Sequence, residues 1–358
     1  MNNTWLRNTI RSFEPYVVPE IREHTVINAN ESPYNIFDFP KVKADFLERM
    51  AKTPSYHYPD PFAEELRAAL AKYVGCQPQE VLVGNGGDEI ISLIMNTFIN
   101  PGDTLLTHAP TFDIYGIDAE VLGAKVVTVP DLDGYRRDRD GLLAKVKELQ
   151  PKVTVLCNPN NPTGELLPLD YVESLVQAAD NIVVVDEAYL EFAGAPSIIS
   201  KLSQYDNLIV IRTLSKAFGL AGCRVGYGVA QKEVIDALGL TKLVYNLNIL
   251  SQNAALAAMD YADEILAHNI PPTLAARQYF IDALKDVPNL TVYPSSSNFV
   301  LVRVPDGPAM VKALHDADIC VRSYKAADLK NCLRITITTD DVVRRVVAVM
   351  TEEAKKYA

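Results

Sequence analysis

One stretch, Arg212-Thr213-Leu214-Ser215-Lys216-Ala217-Phe218-Gly219-Leu220-Ala221-Gly222-Cys223-Arg224, sets a lysine among hydroxylated and small residues with an arginine close behind. Small neighbours let a bulky anionic ligand approach the backbone, and Arg224 offers a fixed fork for its phosphate. Partial desolvation and nearby cations lower the pKa of Lys216, leaving free amine to attack a carbonyl. Alone, the stretch reads sooner as a solvated lysine in a glycine-punctuated loop.

Three further motifs change that balance. Gly84-Asn85-Gly86-Gly87 opens an apolar helix, whose N–H groups and dipole make an anion site. Asp88 there reads alternatively as the helix N-cap, and Asp88 or Glu89 is expected to repel a phosphate unless turned away. Asn158-Pro159-Asn160-Asn161-Pro162-Thr163-Gly164 is either a rigid turn or a mount for the Asn161 amide. Asp186-Glu187-Ala188-Tyr189 places a carboxylate at the end of an apolar strand. Such an acid caps the next turn, or it needs a cationic partner to stay ionised. Together the parts fit pyridoxal 5'-phosphate. Lys216 forms the Schiff base, and Asp186 pairs with the ring nitrogen so that the ring acts as an electron sink. Asn161 and Tyr189 hydrogen-bond the ring hydroxyl oxygen, and Phe112 stacks on the ring. Arg224, Thr213, Ser215 and the Gly86–Gly87 turn with Asp88 surround the phosphate.

The elements that must position these residues alternate. Apolar strands at residues 81–83, 104–106, 126–129, 153–156, 182–185 and 208–211 are separated by helical patterns. That rhythm indicates a mainly parallel sheet covered on both faces, with ligands bound beyond the strands' carboxyl ends. Beyond Lys232 the chain turns helical, and Pro271-Pro272 is expected to break a long alanine-rich helix and mark the passage to a second domain. Strands are expected there at 290–293, 299–304, 319–322 and 333–337. The expected division is an N-terminal arm with part of the small domain (1–45), a large cofactor-binding domain (46–268) and a small C-terminal domain (269–358). The first forty or so residues lack a sheet-like rhythm and are expected against the second domain or a partner subunit.

With 358 residues and nearly half of them apolar, the chain can bury a sizeable core, while a net charge of -11 disfavours nucleic acid or an anionic membrane as partner. Residues 1–16 lack a continuous apolar segment, and no run is long enough for a bilayer span. Five cysteines without CxxC pairing indicate reduced thiols and a cytoplasmic setting, and the scattered histidines argue against a metal site.

The segments NPNNPTG, VVVDEAY and LSKAFGLAGCRVG resemble the class I/II aminotransferases of fold type I, an α/β architecture with a large domain built on a mainly parallel seven-stranded sheet and a smaller α/β C-terminal domain. Within that group the whole chain is similar to the histidinol-phosphate aminotransferases, through Glu14-Pro15-Tyr16, Asn28 to Glu31, His57-Tyr58-Pro59, Tyr245 to Asn248 and Cys332 to Thr336. The resemblance implies transamination between histidinol phosphate and 2-oxoglutarate in histidine biosynthesis. It implies a homodimer in which Tyr58 reaches the cofactor phosphate of the neighbouring subunit. It also implies that Arg334 binds the donor carboxylate, that Arg322 with Tyr16 selects a phosphorylated substrate, and that Asn30 stands on the substrate side. Val244 departs from the proline common in that group, and the arm after Tyr16 lacks its Gly-Arg stretch. An aromatic amino-acid transaminase, a threonine-phosphate decarboxylase-like lyase and a non-enzymatic binding module are the competing readings.

Overall fold

The computed structural model describes residues 5–13, 21 and 23–357. Its strands are β1 (Thr25–Val26), β2 (Val81–Asn85), β3 (Thr104–Ala109), β4 (Lys125–Pro130), β5 (Val153–Cys157), β6 (Ile182–Asp186), β7 (Leu208–Thr213), β8 (Val225–Ala230), β9 (Thr291–Val292), β10 (Phe299–Arg303), β11 (Ile319–Cys320), β12 (Arg322–Ser323) and β13 (Cys332–Thr336). Among the described residues they form a seven-stranded sheet ordered β2-β8-β7-β6-β5-β3-β4, a four-stranded sheet ordered β12-β13-β10-β9, and the pair β1-β11.

The central strands β5, β6 and β7 are almost wholly buried. Their β-branched runs suit a pleated layer covered on both faces. Each fully buried Val, Leu or Ile contributes about 1.5–3 kcal/mol. Side chains alternate between two cores. Leu106, Val185 and Val210 pack with Leu66, Leu70 and the alanines of helix Ile249–Asp260. Leu105, Val184 and Ile209 pack with Ile90 and Ile94 of helix Gly87–Phe98.

The seventh strand, β8, runs antiparallel to both β2 and β7, and it lies in a segment where no strand is expected from the sequence. Its glycines dilute the apolar signal. Gly226 has a specific reason to be glycine, because a Cβ there would stand 2.3 Å from Gly87 N and 2.4 Å from Gly86 C. The strand must pass that close to the turn after β2.

A second departure concerns Pro271-Pro272. Helix Ala262–Leu284 continues without a break across both prolines. Each removes one intrahelical hydrogen bond, which ordinarily ends a helix. Here a buried stripe on either side of the pair holds it. Ala262 and Ile265 pack into the large core, and Ala276, Phe280 and Leu284 pack into the second one. Thr273 Oγ1 also donates to Asn269 O at 2.8 Å. The helix spans the two cores instead of breaking between them.

The N-terminal segment divides its contacts. β1 pairs parallel with β11, and Ile27 enters the second core. Thr9, however, donates to Val121 O, and Ile36 and Val42 belong to the large core. The expected strand at 319–322 splits at Val321, with β11 serving β1 and β12 serving β13.

Candidate active site

Parallel strands bring their carboxyl ends to one edge, so the residues after β2, β5, β6 and β7 meet there. Lys216 follows β7. Its Nζ donates to Ala29 O at 2.8 Å and lies 5.8 Å from the Tyr189 ring centre. Burial and the Arg334 guanidinium, with Arg224 adding to them, lower the Lys216 amine to about 8, while Glu31 and Asp88 oppose. A useful fraction of free amine at neutral pH is the property an attacking lysine needs.

Asp186 ends β6 and is buried. Burial pushes its carboxyl up, against hydrogen bonds from Tyr115 and the Ala188 N–H that pull it down. Asn161 is also buried, and its Oδ1 accepts from Arg334 Nη1 at 2.6 Å. That bond orients the amide so that its nitrogen is the group presented as a donor. Tyr189 Oη accepts from Asn30 Nδ2 at 3.1 Å, and burial pushes the phenol up, so it stays protonated. Phe112 meets Tyr115 edge to face, with ring centres 5.6 Å apart.

The turn after β2 and Arg224 form the anion cradle. Arg224 takes a left-handed backbone at φ 53°, and its Nη2 donates to Asp88 Oδ2 at 2.8 Å. Gly86, at φ 85°, faces that guanidinium, and a Cβ there would stand 2.4 Å from Nη2. No side chain caps helix Gly87–Phe98, so its first N–H groups stay available. Glu89 is turned back, accepting from the Asn85 N–H and, at 2.8 Å, from Asn246 Nδ2. Asp88, expected at the cofactor, instead anchors Arg224; a carboxylate does not itself hold a phosphate. Thr213 Oγ1 lies 3.2 Å from Val225 O and takes the Ser215 N–H at 3.1 Å. Thr213 thus shapes the turn, and its Oγ1 also donates to Ser215 Oγ at 3.0 Å.

Arg322 and Arg334 are register partners across β12 and β13. Directly opposed like charges are destabilising unless an anion answers them. Arg334 Nη2 donates to Asn28 O at 2.6 Å, while its Nε is buried with no hydrogen-bond partner among the described residues. Arg322 lies 5.7 Å over the Tyr324 ring and counters the upward push of burial on Asp113.

Three further expected residues complete the account. Tyr16 lies outside the described residues. Tyr58 is at the surface, 78% exposed, and stacks on Tyr245 at 4.4 Å instead of entering the pocket of its own chain. Asn30, expected to meet substrate, has its amide engaged at both ends, donating to Tyr189 and accepting from Thr336 Oγ1 at 3.2 Å. It positions Tyr189 against the second domain. Tyr115, by contrast, is unforeseen; its helical spacing from Phe112 is the only trace of it in the sequence.

These residues fit the cofactor expected from the sequence. A glycine-lined cradle closed by an arginine suits a phosphate, an uncapped helix start faces it, and a depressed lysine amine stands beside a buried carboxyl. Comparison with known proteins agrees. The profile of the family "Aminotransferase class I and II" matches residues 24–350. The histidinol-phosphate aminotransferase of Thermoanaerobacter sp. (strain X514) is 40% identical over 336 residues, covering 93% of this chain and 94% of that protein. The one from Thermoanaerobacter pseudethanolicus is 39% identical with the same coverage of 93% and 94%. The crystal structure of histidinol-phosphate aminotransferase from Sinorhizobium meliloti in complex with pyridoxal-5'-phosphate superposes with a TM-score of 0.89 at 29% identity, over 99% of this chain and 98% of that one. The chain belongs to the class I and II aminotransferases.

Proposed function

We propose that the protein is a pyridoxal 5'-phosphate-dependent transaminase that moves the amino group of histidinol phosphate to 2-oxoglutarate, giving imidazole acetol phosphate and glutamate in histidine biosynthesis. The observation that carries the substrate assignment is the cross-strand pair Arg322–Arg334, set beside a separate phosphate cradle at Arg224. Two anion sites suit a substrate that brings its own phosphate or carboxylate to a cofactor that already has one. The family and the named relatives support the same reading.

When bound, the cofactor supplies an electron sink for bond breaking at the substrate Cα. The chain's residues do the rest. Arg224, Ser215 and the N–H groups of Gly87 and its neighbours would hold the phosphate, and Asp186 would keep the ring nitrogen protonated. Asn161 and Tyr189 would donate to the ring oxygen. Lys216 would hold the group covalently, and its Nζ, once released, would take the proton from the substrate Cα and deliver it to the cofactor carbon on the far side of the imine nitrogen. Single-turnover spectra with a panel of amines test the assignment. Histidinol phosphate should react fastest, with glutamate also accepted; preference for phenylalanine or tyrosine would replace this substrate with an aromatic amino acid.

The same reading makes the enzyme a cytoplasmic homodimer with shared sites. Among the described residues no helix is long and apolar enough to cross a membrane. Tyr58 is 78%, Phe62 60%, Leu243 73% and Val244 61% exposed. Their segments adjoin, since Tyr58 stacks on Tyr245 and Lys242 Nζ donates to Pro61 O at 3.0 Å. Apolar patches of this kind mark association surfaces, and Tyr58 lies within this one. Mixing inactive Lys216→Ala with severely impaired Tyr58→Phe subunits should restore activity in heterodimers with one intact site. Verified heterodimers without any rescue would make each site self-contained.

A further inference from the structure

Burial at Asp186 works against a charge on its carboxyl. The residue is buried at the end of β6, register-opposite Cys157 of β5, another buried residue. The cation that lowers its pKa is Lys216, a minor influence beside burial, and Asp88 opposes it. Two hydrogen bonds remain to hold the ionised form. The Ala188 N–H donates to Oδ1 at 3.0 Å, and Tyr115 Oη donates to Oδ2 at 2.6 Å. The second is the shorter, and a hydrogen bond to a charged group is worth more than a neutral one.

Tyr115 is suited to be a fixed donor. It is fully buried on helix Ile114–Val121, and burial first, then Asp186, pushes its phenol well up, so it keeps its proton. Its ring meets Phe112 edge to face at 83°, which joins the residue expected over the cofactor ring to the carboxylate expected under its nitrogen. With one donor on each oxygen the carboxylate cannot rotate, and its remaining lone pairs point in fixed directions.

We propose that Tyr115 is a positioning residue for the cofactor, acting through Asp186: its hydroxyl fixes the carboxylate, ionised and oriented, to receive the proton-bearing ring nitrogen. This rests on the pyridoxal 5'-phosphate reading above.

The test is a double-mutant cycle on Tyr115→Phe and Asp186→Asn, read by titrating cofactor-free protein with pyridoxal 5'-phosphate and by steady-state kinetics. Tyr115→Phe keeps the ring and its packing, so the cofactor-free protein should melt within about 2 °C of wild type. It should bind the cofactor about ten- to a hundred-fold more weakly and lose kcat by a similar factor with KM little changed. In the Asp186→Asn background the same change should add less than about twofold, because the two residues act as one. Wild-type affinity and kcat in Tyr115→Phe would overturn the proposal. So would an undiminished effect in the Asp186→Asn background, or a cofactor-free protein that no longer melts cooperatively, since either makes Tyr115 purely structural. Asp186→Asn binding the cofactor and turning over like wild type is a different result: it removes Asp186 from the ring nitrogen, whereas wild-type protein that takes up no pyridoxal 5'-phosphate overturns the cofactor reading itself.

Discussion

Lys216→Ala removes turnover and, with it, the visible absorption of lysine-bound cofactor. The expected loss is roughly 10⁴-fold, the upper end for a positioned acid–base group, because the same nitrogen both attaches the cofactor and carries the proton. The fold should survive: Lys216 gives one hydrogen bond to a backbone oxygen, that of Ala29, and removing a desolvated amine strains nothing around it. The amine also sets a pH dependence in the cofactor-free protein. Lys216 is lowered to about 8, and only the free base attacks. Capture of added pyridoxal 5'-phosphate should therefore quicken about tenfold per pH unit below that value and level off above it. Arg334 is the largest charge contribution to the lowering, so Arg334→Ala should move the whole profile to higher pH. Stopped-flow absorbance across the pH range measures both effects. A Lys216→Ala protein that keeps the band and its turnover would end the assignment of this lysine.

The parts of this site that could be read from the sequence are those where a single residue's chemistry is unusual for its place. A lysine among glycines and hydroxyls, or an aspartate closing the run Ile182–Val185, contradicts its surroundings and so signals a ligand. The apolar strands were legible for the same local reason. What escaped depends on contacts between distant segments. β8 is hidden by Gly226 and Gly228, and Gly226 is glycine because of a turn more than a hundred residues away. Pro271-Pro272 breaks an isolated helix, yet here anchorage in two cores outweighs the missing hydrogen bonds. Asn30 is placed on the substrate side only by resemblance, and nothing local announces that its amide also bonds Tyr189 and Thr336. Tyr115 resembles any core aromatic until its hydroxyl is seen to reach Asp186 across 71 positions of sequence.

Arg334 and Arg322 should separate the two substrates. The side chains leave adjacent strands at paired positions, on the face opposite Leu333 and Ile335, which enter the second core. Each arginine nevertheless has a distinct setting. Arg334 is buried, clamps Asn161 and Asn28 O with its two terminal nitrogens, and keeps Nε without a partner. Arg322 is only half-buried and rests on Tyr324. A charge-assisted hydrogen bond is worth about 1.5–3 kcal/mol, so losing one costs about ten- to a hundred-fold in kcat/KM. Arg322→Ala should take that loss with histidinol phosphate and spare glutamate. Arg334→Ala should cost more, on the order of 10³-fold, and act on both substrates, because Asn161 loses its anchor along with the carboxylate's partner. Arg334→Lys should fall between, since an ammonium keeps the charge but lacks the planar fork that reaches Asn161 and Asn28 together. The measurement is kcat/KM for each half-reaction in each variant. If Arg322→Ala leaves histidinol phosphate untouched, the phosphate is held elsewhere and the paired arginines do not define the substrate. If Arg334→Ala harms only one half-reaction, its grip on Asn161 is incidental.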